Sequence, residues 1–149
     1  MFEVTKEILI DAECGKVFDF LLKPSNLPKV WSNLAKISNE KPLPNGGYKC
    51  DWQYKLLGAL FKGSAHHTDV AKNQWISVAI TGTINCNYTV ALRQDGHKTR
   101  VFFVFQHLIP GRAYSFRTDE ILEDAGKELE LILARLKVKL EERHLAQME

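Results

Sequence analysis

The segment 118–145 most constrains the fold of this chain, because it has the pattern of one long amphipathic helix. Its apolar residues recur at the spacing of three and four that places side chains on one side of a helix. They are Leu122, Ala125, Leu129, Ile132, Leu133, Leu136 and Leu140. A helix of about 28 residues is about 40 Å long, whereas a compact chain of this length has a radius of gyration of about 15 Å. The helix must therefore cross nearly the whole domain, and the preceding chain must supply the surface that covers its apolar side.

Length and composition predict a single soluble globular domain over residues 1–149. The chain is 45% hydrophobic and 26% charged, which is ordinary for such a domain. A formal net charge of +2, with no Lys/Arg cluster interleaved with aromatic residues, argues against nucleic acid as a partner. No apolar run has the length of a membrane span, so stable membrane insertion is not expected.

Cysteine usage and the N-terminal sequence both indicate a cytoplasmic protein. Three cysteines without CxxC spacing, Cys14, Cys50 and Cys86, are typical of reduced, buried thiols. The first residues carry charges and lack the apolar stretch of a signal peptide.

The chain before the long helix has the short alternating segments and turn residues of an antiparallel meander. Predicted strands are 3–10, 34–41, 47–57, 61–71, 75–81, 83–93 and 99–108, and predicted short helices are 16–22 and 26–31. Alternation of apolar and polar residues within 48–55 and 84–93 is typical of strands with one buried face. We therefore predict an α+β domain in which a strongly curved, seven-stranded antiparallel sheet wraps around the C-terminal helix, in the order β-α-α-β6-α.

Several short motifs in this order resemble the helix-grip fold of the START-like superfamily, particularly its polyketide cyclase/dehydrase-like branch. They are Ile10-Asp11-Ala12, Val17-Phe18-Asp19-Phe20-Leu21, Asn26-Leu27-Pro28 with Trp31, and Gly96 followed by Lys98-Thr99-Arg100-Val101. The resemblance spans essentially the whole chain, although Cys14-Gly15 stands where such proteins often have a proline and an acid. It implies a cavity between sheet and helix that binds lipids, polyketides, sterols or aromatic metabolites.

Aromatic residues dominate the strand positions that are expected to face this cavity, which is typical of a hydrophobic small-molecule site. The candidate ligand-binding residues are Tyr48, Trp52, Tyr54, Tyr88, Phe103, Phe105 and His107 on the strands, and Ala125, Gly126 and Leu129 on the helix. The competing interpretation is that these residues simply pack the core. Gly126 costs about 1 kcal/mol relative to alanine inside a helix, so it indicates either room for a ligand or close approach of a strand.

Histidines on the central strands are the candidate acid–base groups. Adjacent strand residues point to opposite faces, so only one of His66 and His67 can face the cavity. His107 has the parity of Phe105 and should face inward. His107, His66 and Tyr88 are therefore the candidate catalytic residues. We favour the alternative of a satisfied core histidine, because no carboxylate is evident to orient one of them.

Metal and cofactor sites find no support in the sequence. The histidines lack HExxH spacing, and the cysteines fall on separate elements. No P-loop, GxGxxG or GxSxG sequence occurs, so no cofactor is expected.

Three functions remain open. The favoured one is binding or carriage of a hydrophobic small molecule without covalent chemistry. The second is a cyclase/aromatase- or dehydratase-type enzyme that uses a cavity histidine and tyrosine. The third is an interaction module with a filled cavity. Leu131, Val138 and Leu145 repeat every seven residues on the other side of the helix and would allow a homodimer.

Overall fold

A computed structural model describes residues 2–56, 58–83, 85–107 and 118–148, with the side chains at 2, 56, 107, 118–125 and 143–148 outside the description. The order of elements is the predicted one. The elements are β1 (Phe2–Ile10), α1 (Cys14–Leu22), a 3-10 helix (Pro24–Lys29), β2 (Leu34–Pro42), β3 (Tyr48–Leu56), β4 (Ala59–Ala71), β5 (Trp75–Gly82), β6 (Cys86–Asp95), β7 (Lys98–His107) and α2 (Thr118–Met148). The predicted boundaries of the strands differ from these by a few residues, and α2 ends at Met148 rather than at 145.

The seven strands form one antiparallel sheet in the order β1-β7-β6-β5-β4-β3-β2. Strands β2 to β7 are a meander, in which each strand pairs with the next along the chain. Strand β1 instead pairs with β7 from Phe2 opposite His107 to Ile10 opposite Thr99. The α+β fold with a curved antiparallel sheet and a C-terminal helix is confirmed.

Alternating burial along the strands identifies the face that packs on α2. On β6 the side chains of Cys86, Tyr88, Val90 and Leu92 are buried, while those between them are exposed or half-buried. A period of two in burial is what a sheet covered on one side requires. All three cysteines are buried and none forms a disulfide bond, in agreement with the burial that the sequence predicted.

Polar contacts hold α2 beside the edge strand β1. The Lys6 ammonium lies 2.9 Å from Glu130 Oε1, and the Asp11 backbone N–H donates to Glu141 Oε1 at 3.0 Å. Because α2 is fixed along β1, its apolar side is directed over the neighbouring strands.

The C-terminal half of α2 packs into a closed end of the sheet–helix interface, consisting of Ile10, Val17, Thr99, Leu133 and Leu140. These side chains are between 0% and 4% exposed. Thr99 is the polar member, and its hydroxyl donates to the Ala12 carbonyl oxygen at 2.7 Å. The closed end is therefore apolar or internally hydrogen-bonded throughout.

None of the helices in the described part of the chain has the length and apolar character needed to cross a membrane. Among the described residues, no group of three His, Cys, Asp or Glu side chains could hold a metal ion.

Candidate ligand site between sheet and helix

An apolar cavity lies between the sheet and α2, next to the closed end. Ten residues from helices, strands and one connecting segment surround it. They are Leu21, Leu27, Val30, Trp31, Ile76, Tyr88, Val90, Phe103, Ile132 and Leu136. The cavity volume is about 10 Å³. A space of that size is comparable to one water molecule, so the side chains nearly fill the interior.

Trp31, which lines this cavity, is in contact with three other aromatic side chains. Its ring makes edge-on contacts with Tyr54, Tyr88 and Phe105 at centroid distances of 6.5, 6.1 and 6.5 Å. Tyr88 in turn stacks on Phe103 at 5.0 Å. Edge-on and offset-stacked geometries are the favoured ones for aromatic pairs. Rings from β3, β6 and β7 thus meet on a side chain that belongs to neither the sheet nor α2.

A carboxylate on α2 forms the polar part of the site. Glu128 Oε1 accepts a hydrogen bond from the Trp31 indole N–H at 2.7 Å and a second one from the Tyr54 hydroxyl. The Asn33 side-chain amide donates to the Tyr54 hydroxyl oxygen at 3.5 Å. We call Trp31, Asn33, Tyr54 and Glu128 the Glu128 cluster. All four are half-buried, in contrast to the closed end.

The negative charge of Glu128 acts on the neighbouring titratable groups. The pKa of Tyr54 is raised by burial, by the hydrogen bond that its hydroxyl donates to Glu128, and by the charge of that carboxylate. Burial and the Glu128 charge raise the pKa of Cys86 to about 12. Tyr54 therefore stays protonated near neutral pH and serves as a hydrogen-bond donor within the site.

Glu128 was not predicted from the sequence as a site residue, although a signal for it exists. It precedes Ile132 by four residues and Leu136 by eight, and both of those residues line the cavity. Side chains at i, i+4 and i+8 lie on the same side of a helix. An acidic residue in register with the apolar stripe is thus directed toward the cavity.

The structure brings together four of the seven predicted strand residues. Tyr88 and Phe103 line the cavity, and Tyr54 and Phe105 contact Trp31. The other three are Tyr48 and Trp52, which lie outside the cavity lining, and His107, whose side chain lies outside the described residues.

Within the described structure, Tyr48 and Trp52 lie outside the set that lines the cavity. Trp52 is buried against β4, where its indole N–H donates to the Ser64 carbonyl oxygen at 3.0 Å. A side chain at Gly63 would come within 2.4 Å of the Trp52 ring, so the missing side chain makes room for the indole. Tyr48 is half-buried, with its ring edge-on to His67 at 6.2 Å.

Two of the three predicted helix residues can be placed, Gly126 beside β1 and Leu129 in the core. The nearest atoms to a Cβ added at Gly126 belong to the side chains of Lys6 and Val4, at 3.6 to 3.9 Å. Those are ordinary van der Waals distances to side chains, so neither a tight backbone approach nor the cavity accounts for this glycine. Leu129 is buried in the core cluster, outside the cavity lining. The side chain of Ala125 lies outside the described residues.

A β-bulge decides which of the adjacent histidines is buried. His67 pairs with Val78 and Asp69 with Ser77, so Thr68 is an extra residue in β4. After the bulge, the alternation of inward- and outward-facing side chains is shifted by one residue. This shift is why the alternation in β4 could not be assigned from the sequence. His66 is exposed and does not reach the cavity, whereas His67 is 4% exposed.

His67 is buried, and one of its ring nitrogens has a hydrogen-bond partner. Its Nδ1 accepts the Tyr48 backbone N–H at 2.9 Å, and its own carbonyl oxygen accepts the Asn45 side-chain amide at 2.8 Å. Burial, and to a smaller degree the neighbouring His66, lower the pKa of His67 to about 4, although the charge of Glu40 opposes this shift. The side chain of His107, the remaining histidine candidate, lies outside the described residues.

A curved antiparallel sheet gripping a long C-terminal helix, with an apolar interior between them, defines the helix-grip class of fold. Solved structures of low sequence identity share this fold. A START superfamily protein from Mycobacterium smegmatis is similar over 94% of this chain and 97% of its own, with a TM-score of 0.76 at 13% identity. The di-domain ARO/CYC StfQ of the steffimycin biosynthetic pathway is similar over 95% of this chain and 51% of its own, with a TM-score of 0.79 at 10% identity.

The Aha1 dimer from Colwellia psychrerythraea has the same fold, with a TM-score of 0.68 at 17% identity over 95% of this chain and 97% of its own. At these identities the likeness concerns the fold alone. No family model matches the sequence, and no curated protein matches it either.

Proposed function

We propose that this protein binds or carries a hydrophobic small molecule, of the lipid, polyketide or aromatic-metabolite kind, between the sheet and α2, without covalent chemistry of its own. The observation that carries the proposal is the composition of this small cavity rather than its present volume. Its lining is apolar apart from the Trp31 and Tyr88 polar atoms, and the half-buried Glu128 cluster adjoins it. An apolar pocket with a few convergent polar groups is the usual form of a small-molecule site.

Binding requires the interior to open. Pockets for small ligands have volumes of about 300–1,000 Å³, whereas the present cavity has about 10 Å³. A ligand must therefore displace side chains that now fill the space. Side chains of the Glu128 cluster should move at a lower free-energy cost than side chains of the closed end, because they are only half-buried.

Native mass spectrometry of freshly purified protein, followed by solvent extraction and a thermal-shift screen of hydrophobic compounds, tests the proposal. We expect a bound lipid or aromatic compound, or a rise in melting temperature with members of the panel. A ligand-free mass together with no thermal shift across the panel would instead favour the interaction module with a filled cavity.

A matched pair of variants on neighbouring positions of α2 locates the site. Ile132 lines the cavity and Leu131 is 55% exposed. Ile132→Phe should weaken ligand binding by roughly 10-fold or more because the larger ring competes for the same space. Leu131→Phe should leave it unchanged. Equal effects of the two variants would place the ligand elsewhere.

The enzymatic alternative, a cyclase/aromatase- or dehydratase-type reaction, is supported by one contact. The Tyr54 hydroxyl is hydrogen-bonded to the Glu128 carboxylate inside the site, a pairing that can move a proton to or from a bound substrate. Incubation of any extracted ligand with wild-type protein and with Tyr54→Phe would detect turnover that depends on this hydroxyl. Recovery of unchanged ligand from both proteins would leave carriage as the function.

Self-association and a cytoplasmic location belong to the same proposal. Leu131 and Val138 are 55% and 64% exposed on one side of α2, where a second copy could cover them. Buried free thiols suit a reducing compartment. Light scattering on wild-type protein and on Val138→Glu would show whether this surface forms a dimer.

A further inference from the structure

Trp31 lies where a ligand of the proposed kind would have to bind. Its ring fills the space between Tyr54, Tyr88 and Phe105, and its own atoms form part of the cavity wall. It extends from the short connection between the 3-10 helix and β2, not from an element of the sheet–helix core. The residue therefore behaves as an internal occupant of the site.

The backbone that carries Trp31 is fixed independently of its ring. The backbone N–H groups of Val30 and Trp31 both donate to the Leu27 carbonyl oxygen, at 3.0 and 2.9 Å, and the Trp31 carbonyl oxygen accepts the Leu34 N–H at 3.1 Å. Val30 is 1% exposed and anchors the segment in the core. Because Trp31 is itself half-buried, its side chain can rotate toward solvent while the backbone stays in place.

Removal of the indole has one specific consequence. Glu128 Oε1 loses the N–H donor that lies 2.7 Å away and retains Tyr54. A carboxylate that is partly withdrawn from water favours a replacement donor, and hydrogen bonds to charged groups are among the stronger ones. A purely hydrocarbon occupant would leave Glu128 with Tyr54 as its one remaining donor of the two.

We propose that the site takes a flat aromatic molecule that carries an N–H or O–H group, and that this molecule displaces the Trp31 indole and donates to Glu128 in its place. The inference rests on the proposed small-molecule function and adds the ligand class and the residue that controls access. Tyr54, held by the same carboxylate, would then contact the edge of the bound ring.

Trp31→Ala, titrated with indole and with benzothiophene by calorimetry, tests the ligand class. The two probes have the same bicyclic shape, and only indole has an N–H. We expect indole to bind Trp31→Ala roughly 3- to 5-fold more tightly than benzothiophene, because water competes for a half-buried carboxylate and leaves only part of the strength of a hydrogen bond to a charged group. Adding Glu128→Leu should abolish this preference. Wild-type protein should bind indole more weakly than Trp31→Ala does, because the native side chain competes.

Trp75→Ala is the matched control. The Trp75 indole is 37% exposed and donates to Asp69 at 2.9 Å on the surface of the sheet. Its removal should leave the affinity for indole at the wild-type value. An equal gain in Trp75→Ala would show that the probe binds any vacated indole position, and would overturn the proposal.

A second measurement does not require Trp31→Ala to fold. It follows the indole N–H resonances of the wild-type protein by NMR. The Trp31 signal, assigned by its absence in Trp31→Phe, should shift on saturation with a donor aromatic compound while the Trp75 signal does not. A saturable probe that leaves the Trp31 signal unchanged would overturn displacement yet leave the proposed function intact.

The remaining outcomes separate the two hypotheses. Equal binding of indole and benzothiophene to Trp31→Ala would reject the donor requirement and retain a hydrophobic site. Absence of binding to wild type, to Trp31→Ala and to Trp31→Phe by both probes and by the compound panel would reject the site and the proposed function together.

Discussion

The two ends of the α2–sheet interface differ in how their side chains are held. At the closed end, Leu133 and Leu140 are 2% and 4% exposed and pack against other apolar side chains. At the Glu128 cluster, one turn before Ile132 on the same helix, the side chains are half-buried and joined by hydrogen bonds. The first arrangement stabilises the fold, whereas the second is the one in which we propose that a ligand donor replaces a protein donor. On one helix, a buried apolar stripe therefore lies beside a half-buried polar group.

The largest effect is expected from a substitution that creates a new cavity at the closed end. Leu133→Ala removes a side chain that is 2% exposed and should lower the free energy of unfolding by about 2–5 kcal/mol. Leu131→Ala, two positions away and 55% exposed, should change it by less than about 0.5 kcal/mol. Chemical denaturation of both variants measures the difference. Similar losses would mean that the closed end is less tightly packed than its burial indicates.

A second test uses His67, whose polar side chain is as little exposed as the side chains of the closed end. Its pKa of about 4 in the folded protein lies below the ordinary value of 6.5. Below pH 6.5 the unfolded chain therefore binds a proton that the folded protein does not, and stability falls until the pH reaches about 4. The total loss is about 3 kcal/mol.

His67→Asn should remove most of this pH dependence, since an asparagine Oδ1 can still accept the Tyr48 N–H in place of the imidazole. The control is His66→Asn, at the exposed neighbouring position, which should retain nearly all of the pH dependence. Denaturation curves at pH 7 and pH 4.5 suffice. A wild-type slope that persists in His67→Asn would assign the acid sensitivity to other groups.

The third test concerns the buried hydroxyl group of Thr99 at the closed end. Thr99→Val keeps the shape of the side chain but leaves the Ala12 carbonyl oxygen without its donor, at a site that is 0% exposed. The cost should be about 1–3 kcal/mol. Thr5→Val, on the exposed face of β1, should change stability by less than about 0.5 kcal/mol. A neutral Thr99→Val would show that water replaces the donor, and the closed end would then be open to solvent.

The sequence predicted the fold because its elements are periodic. The apolar stripe of α2 and the alternation in β3 and β6 repeat over many residues, so single irregular positions do not obscure them. The aromatic positions followed from alternation of this kind in β3, β6 and β7. Tyr54, Tyr88 and Phe105 contact Trp31, and Phe103 lines the same cavity. Their role in ligand binding remains a prediction.

The irregular features were not predictable in the same way. Trp31 lies in a connection without a repeat, so nothing in the pattern indicates that its ring enters the interior. Glu128 resembles a solvated helix residue until its spacing from Ile132 is considered together with the cavity. The bulge at Thr68 changes the parity of β4, and this made the choice between His66 and His67 impossible from alternation alone.

The smallest effect on stability is expected at the Glu128 cluster, and it tests the contrast with the closed end most directly. Glu128→Leu leaves two donors, the Trp31 N–H and the Tyr54 hydroxyl, without their acceptor. Because these groups are half-buried, water can replace the carboxylate, and the loss should be less than about 1 kcal/mol. That loss is smaller than the one expected for Thr99→Val, because the Thr99 hydroxyl is fully buried. Glu142→Leu, at an exposed position of α2, corrects for helix propensity, and Glu128→Gln, which keeps an acceptor, should be closer to wild type. If Glu128→Leu destabilised the protein more than Thr99→Val, Trp31 would be a structural part of the core, and a ligand could not displace it at reasonable cost.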